Sequence, residues 1–213
     1  KTLLFLLILF IPAVYVWQNI DTILNSGIFY PLLIGSVVLG LILAIVTVFV
    51  QRIAFITGPA YAFTEGVVLG LISVLAEKAC PGIVIQAVAL TFGTLFTLLI
   101  AYKARLFKVT QNFRLGVFAA TGSIMLIYLV SFIGSFFGFN VPVIHSNGLF
   151  GIIFSVIVIV IAALNLVLDF DFIENAAQKS PKYMEWYAAF GLMVTLVWLY
   201  IEILRLLIKL RSR

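Results

Sequence analysis

Four acidic residues stand inside or beside long apolar runs: Glu65, Asp169, Asp171 and Glu202. A charge in hydrocarbon costs about 3 kcal/mol or more, so acids at such positions are read first as functional groups. Carboxylates gathered in low dielectric cannot all ionise together, and they exchange protons as a coupled unit. With nearby carbonyls or the side chains of Thr64, Asn165 and Asn175, the same oxygens are the ligands that a hard cation such as calcium needs. Protons and calcium would then compete for one place, with Asp169, Asp171 and Glu202 as transient calcium ligands. No EF-hand loop is present, so any calcium site belongs to a pathway rather than a closed cage.

Each acid also has a plain structural reading. Glu202 can pair with Arg205 three residues on along one helix face. Glu65 can hydrogen-bond a neighbouring helix, and Asp169, Asp171 and Glu174 can form a solvated helix end. Other chemistry is poorly supplied. One histidine, His145, and one cysteine, Cys80, exclude multi-histidine metal sites, cysteine clusters and an internal disulfide. A serine relay needs a base beside its nucleophile, and the sole histidine lies in a loop with no glycine-flanked serine to serve. Neither the Gly-x-Gly-Asp motif of an intramembrane aspartyl protease nor a glycine-rich phosphate loop occurs. A non-enzymatic chain without a tightly bound cofactor is expected.

Composition indicates the framework that holds these acids. Of 213 residues, 64% are hydrophobic and only 10% charged, and the mean hydropathy is +1.27. An average soluble domain is about a quarter charged, so this chain could not clothe a water-facing surface. Soluble-enzyme and nucleic-acid-binding classes are thereby excluded, and the bilayer is the expected environment.

Seven apolar runs can be marked, at Thr2–Trp17, Ile28–Val50, Ile53–Ala76, Gly82–Tyr102, Leu115–Phe139, Leu149–Leu168 and Trp186–Ile208. Most can cross a core of roughly 30 Å as a helix. The first is short, as expected of a span that has lost an upstream tail. Between them stand Asn25-Ser26-Gly27, Cys80-Pro81-Gly82, Asn140 with Pro142, Ser146-Asn147-Gly148 and Ser180-Pro181. Continuous runs imply helices rather than a barrel. The expectation is an all-α integral membrane protein, one domain over residues 1–213, built as a seven-helix bundle.

Counted from Ile53, Glu65 lies roughly 18 Å along its helix, at mid-bilayer. If the sixth run continues past Phe172 toward Ser180, Asp169 and Asp171 are submerged near the same face, and Glu202 reaches Glu65's level if its crossing starts near Ala188. The four acids then form a ladder from one face to the membrane centre. Loop charge orients it. The side holding the N-terminus collects Lys1, Arg52, Lys103, Arg105, Lys108, Arg114, Lys179 and Lys182, against Lys78 alone in the internal loops opposite, and is therefore cytoplasmic. Arg205, Lys209, Arg211 and Arg213 oppose that rule if the seventh run spans fully. Gly66 with Gly70, and Gly134 with Gly138, form GxxxG faces suited to packing within one bundle, or against a second copy or partner.

At these residues the chain resembles the Bax inhibitor family, the transmembrane Bax inhibitor motif proteins, and most of all its bacterial members. The resemblance rests on the seven-run layout, on Phe63-Thr64-Glu65-Gly66-Val67-Val68-Leu69-Gly70-Leu71-Ile72-Ser73, and on the acidic stretch Leu164-Asn165-Leu166-Val167-Leu168-Asp169-Phe170-Asp171-Phe172-Ile173-Glu174. Leu199-Tyr200-Ile201-Glu202, followed by Arg205, completes it. The resemblance implies a bacterial inner-membrane protein with a central last helix, acting as a pH-sensitive calcium leak channel. It also implies an acidic sensor pair, matched by Asp169 or Asp171 and by Glu202, and a latching arginine, for which Arg52 is the nearest match. Glu202 stands where the family usually has Asp, which keeps the charge and lengthens the arm. Roles in cell death and membrane proteolysis are linked to the same family. A proton-coupled transporter using these carboxylates and a non-conducting membrane regulator are the competing readings.

Overall fold

The computed structural model of the chain describes residues 1–106, 108–136, 148–179 and 181–212. His145, Gly138, Asn140, Pro142 and Ser180 lie outside them. Among the described residues all regular structure is helical. The helices are α1 (Thr2–Gln18), α2 (Ile20–Asn25), α3 (Phe29–Phe49), α4 (Ala54–Ala79), α5 (Ile83–Lys103), α6 (Gln111–Phe136), α7 (Leu149–Lys179) and α8 (Met184–Arg211), with a 3-10 turn at Gln51–Ile53. Six helical segments are long and apolar enough to cross a membrane, and the 17-residue α1 is shorter. The described helices number eight rather than seven, because Ile20–Asn25 coils into one and a half turns where the sequence offered only a polar break. The sixth run does continue as helix beyond its apolar part, to Lys179.

The chain forms two compact units, residues 1–81 with 172–194, and residues 82–171 with 195–213. Both draw on α7 and α8.

In the first unit the packing is set by small residues of α4. Gly58 lies against the ring of fully buried Phe5. Gly66 lies against the Leu9 carbonyl and Pro12, and Gly70 against Ala13 and Val16. These contacts advance together along both helices, so α1 runs parallel to α4. Helix α3 runs antiparallel to α4, with Thr47 Oγ1 donating to Thr57 Oγ1 at 2.7 Å and Gly40 facing Glu65. Val16, Ile20, Phe29, Leu71 and Val74 close the core at the other end. The start of α8 joins this unit through Phe190 on Tyr61 and Trp186 on Phe5. Lys1 pairs there with Glu185 and lies 5.1 Å from the Trp186 ring centroid.

The outward faces are as apolar as the inward ones. On α1, Leu3, Leu7, Ile11 and Tyr15 are exposed while Phe5, Leu9, Pro12 and Val16 are buried. A helix hydrophobic all round fits lipid on one side and protein on the other. Chain reversal between α4 and α5 falls at Gly82, whose φ of +80° is open to glycine and strained for other residues.

Candidate functional site

The acids divide between the units: Glu65 belongs to the first, and Asp169, Asp171 and Glu202 to the second. Glu65 sits on α4 with its carboxylate hydrogen-bonded to Tyr61, one helical turn back. A Cβ at Gly40 would lie 3.6 Å from Glu65 Oε2, in ordinary van der Waals contact, so α3 passes close beside the acid. Thr64 donates instead to carbonyls of its own helix, at Ala60 and Tyr61. Arg52 is exposed on the 3-10 turn.

In the second unit each acid meets a different partner. Asp171, at the unit's boundary on α7, pairs with Arg114 in the first turn of α6. The arginine side chain is 46% exposed and the aspartate 15%, so this pair lies toward an open end. Asp169 is two residues earlier, about 200° around the helix, and faces elsewhere. It hydrogen-bonds Thr195 on α8. Its second oxygen, Oδ2, is buried with no hydrogen-bond partner among the described residues. One turn further, Asn165 Nδ2 donates to Thr121 Oγ1 on α6 at 2.7 Å and to the Ile161 carbonyl at 2.9 Å. Asn175 is exposed, near the end of α7.

Glu202 is 1% exposed. Tyr128 on α6 donates to its Oε1 at 2.8 Å, and Arg205 donates to both carboxylate oxygens, at 3.0 and 3.1 Å. Arg205 also donates to the Tyr128 hydroxyl at 2.7 Å, closing a three-membered network. The intrahelical pair legible at i, i+3 is therefore present, while nothing in the pattern of residues marked Tyr128 as its third member. Lys209, two turns on from Glu202, is also turned inward: 5% exposed, it donates to the Gly151 carbonyl at 3.1 Å and to Ser155 Oγ at 3.0 Å, both on α7. Two of the four cations that opposed the orientation rule are thus held by protein. Interior-facing cations carry no information about which side of a bilayer a tail prefers, because that rule counts charges in loops.

The residues missed from sequence, Arg114, Tyr128, Thr121, Thr195, Ser155 and Lys209, are common types that gain meaning only from the neighbour they meet. Tyr128 and Thr121 lie seven residues apart, two turns on one α6 face, which was the one available signal. Among the described residues no group of three His, Cys, Asp or Glu side chains gathers to hold a metal ion.

The Asn165–Thr121 bond is a local support rather than a keystone. Thr121→Val, followed as a double-mutant cycle with Asn165→Leu, is expected to show a coupling of about 0.6 kcal/mol, the ordinary value for interhelical bonds in membranes. Thermal unfolding in detergent measures it.

A family model described as Bax inhibitor 1 like matches residues 1–212. Neither the curated proteins nor the solved structures contain a match.

Proposed function

Since the chain belongs to the Bax inhibitor 1-like family, we propose that it is a calcium leak channel gated by protonation of the carboxylates in its second unit. It would sit in the bacterial inner membrane with its N-terminus cytoplasmic, α1 as the first of seven crossings and α8 central. That α8 contributes Met184–Val194 to one unit and Thr195–Arg211 to the other supports the central placement.

Asp169 carries the reading. A buried carboxylate oxygen without a donor is a place that a proton or a cation completes, because leaving it bare forfeits its solvation with nothing in return. Asp171, beside Arg114, is already neutralised, and Glu202 is held by Tyr128 and Arg205. Asp169 is thus the group assigned to take up the proton, and the calcium ligand that becomes available when that proton leaves. Asp171 and Glu202 flank it along the same unit, and Glu65 with Tyr61 supplies a separate acid in the first. Transport driven by protons through the same carboxylates is the alternative mechanism. A non-conducting regulator docking through the α4 glycines is disfavoured, because Gly66 and Gly70 are already filled by α1.

The test is calcium influx into liposomes holding the purified protein, across about pH 5 to 8. Wild type is expected to pass calcium with a rate that changes over that range. Asp169→Asn is expected to flatten the profile, and Asp171→Asn to shift it. No influx above empty liposomes, or an unchanged profile in Asp169→Asn, sinks the proposal.

A further inference from the structure

In the second unit, α7 and α8 run antiparallel in constant register, since Asp169 meets Thr195 and Ser155 meets Lys209. Polar groups recur along this seam and its border with α6. They run from Asp171–Arg114 through Asp169–Thr195, Asn165–Thr121 and Glu202–Tyr128–Arg205 to Lys209–Ser155. From Asp171 to Ser155 this column extends roughly 24 Å along α7, most of a bilayer core. Its composition is lopsided: the acids occupy one end and the centre, and a lysine the other end.

Among the described residues the charge at that end is not balanced locally. Arg205 is matched by Glu202. Among the described residues, Lys209 has only neutral oxygens as acceptors, the Gly151 carbonyl and the Ser155 hydroxyl. Glu202, Arg205 and Lys209 together therefore leave one positive charge over, inside protein and 5% exposed at Lys209. The two hydrogen bonds fix its position, and a fixed charge acts on a nearby ion in proportion to that ion's own charge. Structure alone does not ask for a cation there, since a buried charge with no counter-ion costs stability.

We infer that Lys209 is the selectivity-determining group of this column, a fixed positive charge that holds back cations, divalent ones most. The inference rests on the ion-pathway reading of the second unit. An ion's energy beside a fixed charge scales with its own charge. If removing the ammonium speeds a monovalent ion by some factor, it speeds a divalent ion by the square of that factor. A packing defect has no such signature, because a loosened seam admits both ions alike.

Potassium and calcium influx are to be measured in the same liposomes for wild type, Lys209→Gln and Lys209→Arg. Glutamine keeps a donor for Ser155 and the Gly151 carbonyl while removing the charge, and arginine keeps the charge. In Lys209→Gln a gain of about fivefold for potassium is expected to accompany about twenty-five-fold for calcium; Lys209→Arg should stay near wild type. Equal gains for the two ions, a gain in Lys209→Arg as well, or no gain overturns the inference. A pH-dependent wild-type calcium leak that Lys209→Gln leaves unchanged removes the inference and keeps the leak. The squared gain in Lys209→Gln over a wild type whose calcium leak does not vary with pH does the reverse, keeping the charge effect and removing the pH-gated reading. Silence of all three proteins to both ions defeats both.

Discussion

Gly66→Leu is expected to abolish assembly of the first unit. A Cβ at this position already collides with the Leu9 carbonyl and lies 2.6 Å from Pro12 Cγ. The obstacle is backbone and a ring, neither of which can swing aside, so α1 must separate from α4. Overpacking of a core ordinarily costs about 1–3 kcal/mol, and a clash with backbone belongs at or beyond the top of that range. Without α1, the buried face of Phe5, Leu9 and Val16 loses its partner. Size-exclusion chromatography and the thermal midpoint in mild detergent would read this as aggregation or a fall of many degrees, and Gly66→Ala should show a smaller loss in the same direction. Gly93→Ala, on α5 with nothing within 4 Å of its added carbon, is the control and should match wild type or gain slightly. A stable, monodisperse Gly66→Leu would contradict the α1–α4 contact.

The second large effect is at Arg205. Replacing it by methionine leaves Glu202, 1% exposed, without its cation. Breaking a fully buried pair from one side costs about 3–5 kcal/mol near neutral pH, because an uncompensated charge stays behind, and the 37% exposure of the Arg205 side chain puts this pair at or below the bottom of that range. The Tyr128 hydroxyl still donates to Glu202, which moderates the loss without cancelling it. Glu202→Gln combined with Arg205→Met should recover most of the stability, since no charge then remains in the network. The thermal midpoints of the four proteins of this cycle test the claim, and a double variant no more stable than Arg205→Met would refute the network.

The fold class was legible because lipid makes composition decisive: apolar runs of about 20 residues have few other uses. The packing role of Gly66 and Gly70 was legible for a related reason, since small residues four apart on one face serve close helix approach in a membrane. Helix α2 was not, because Asn25, Ser26 and Gly27 read as a turn and a six-residue helix carries almost no periodic signal. The candidate site divides in the same way. Glu65, Asp169, Asp171 and Glu202 announced themselves by their cost in hydrocarbon. Arg114 was counted only as a loop cation, and Lys209 only as a tail charge on the unfavoured side. Which acid each cation meets depends on helix register and rotation, which are tertiary properties. Depth can be counted along one helix, but the two units to which Glu65 and Glu202 belong are defined only by packing.

The parallel seating of α1 on α4 also sets an order of events during synthesis. Ala13 must wait for Gly70, and at ribosomal speeds of about 5–20 residues per second that interval is roughly 3–11 s. Helix α1 is therefore complete before its glycine socket exists. Its apolar circumference suits it to lipid in the meantime, whereas Glu65 on α4 arrives after α3 and finds Gly40 already in place beside it.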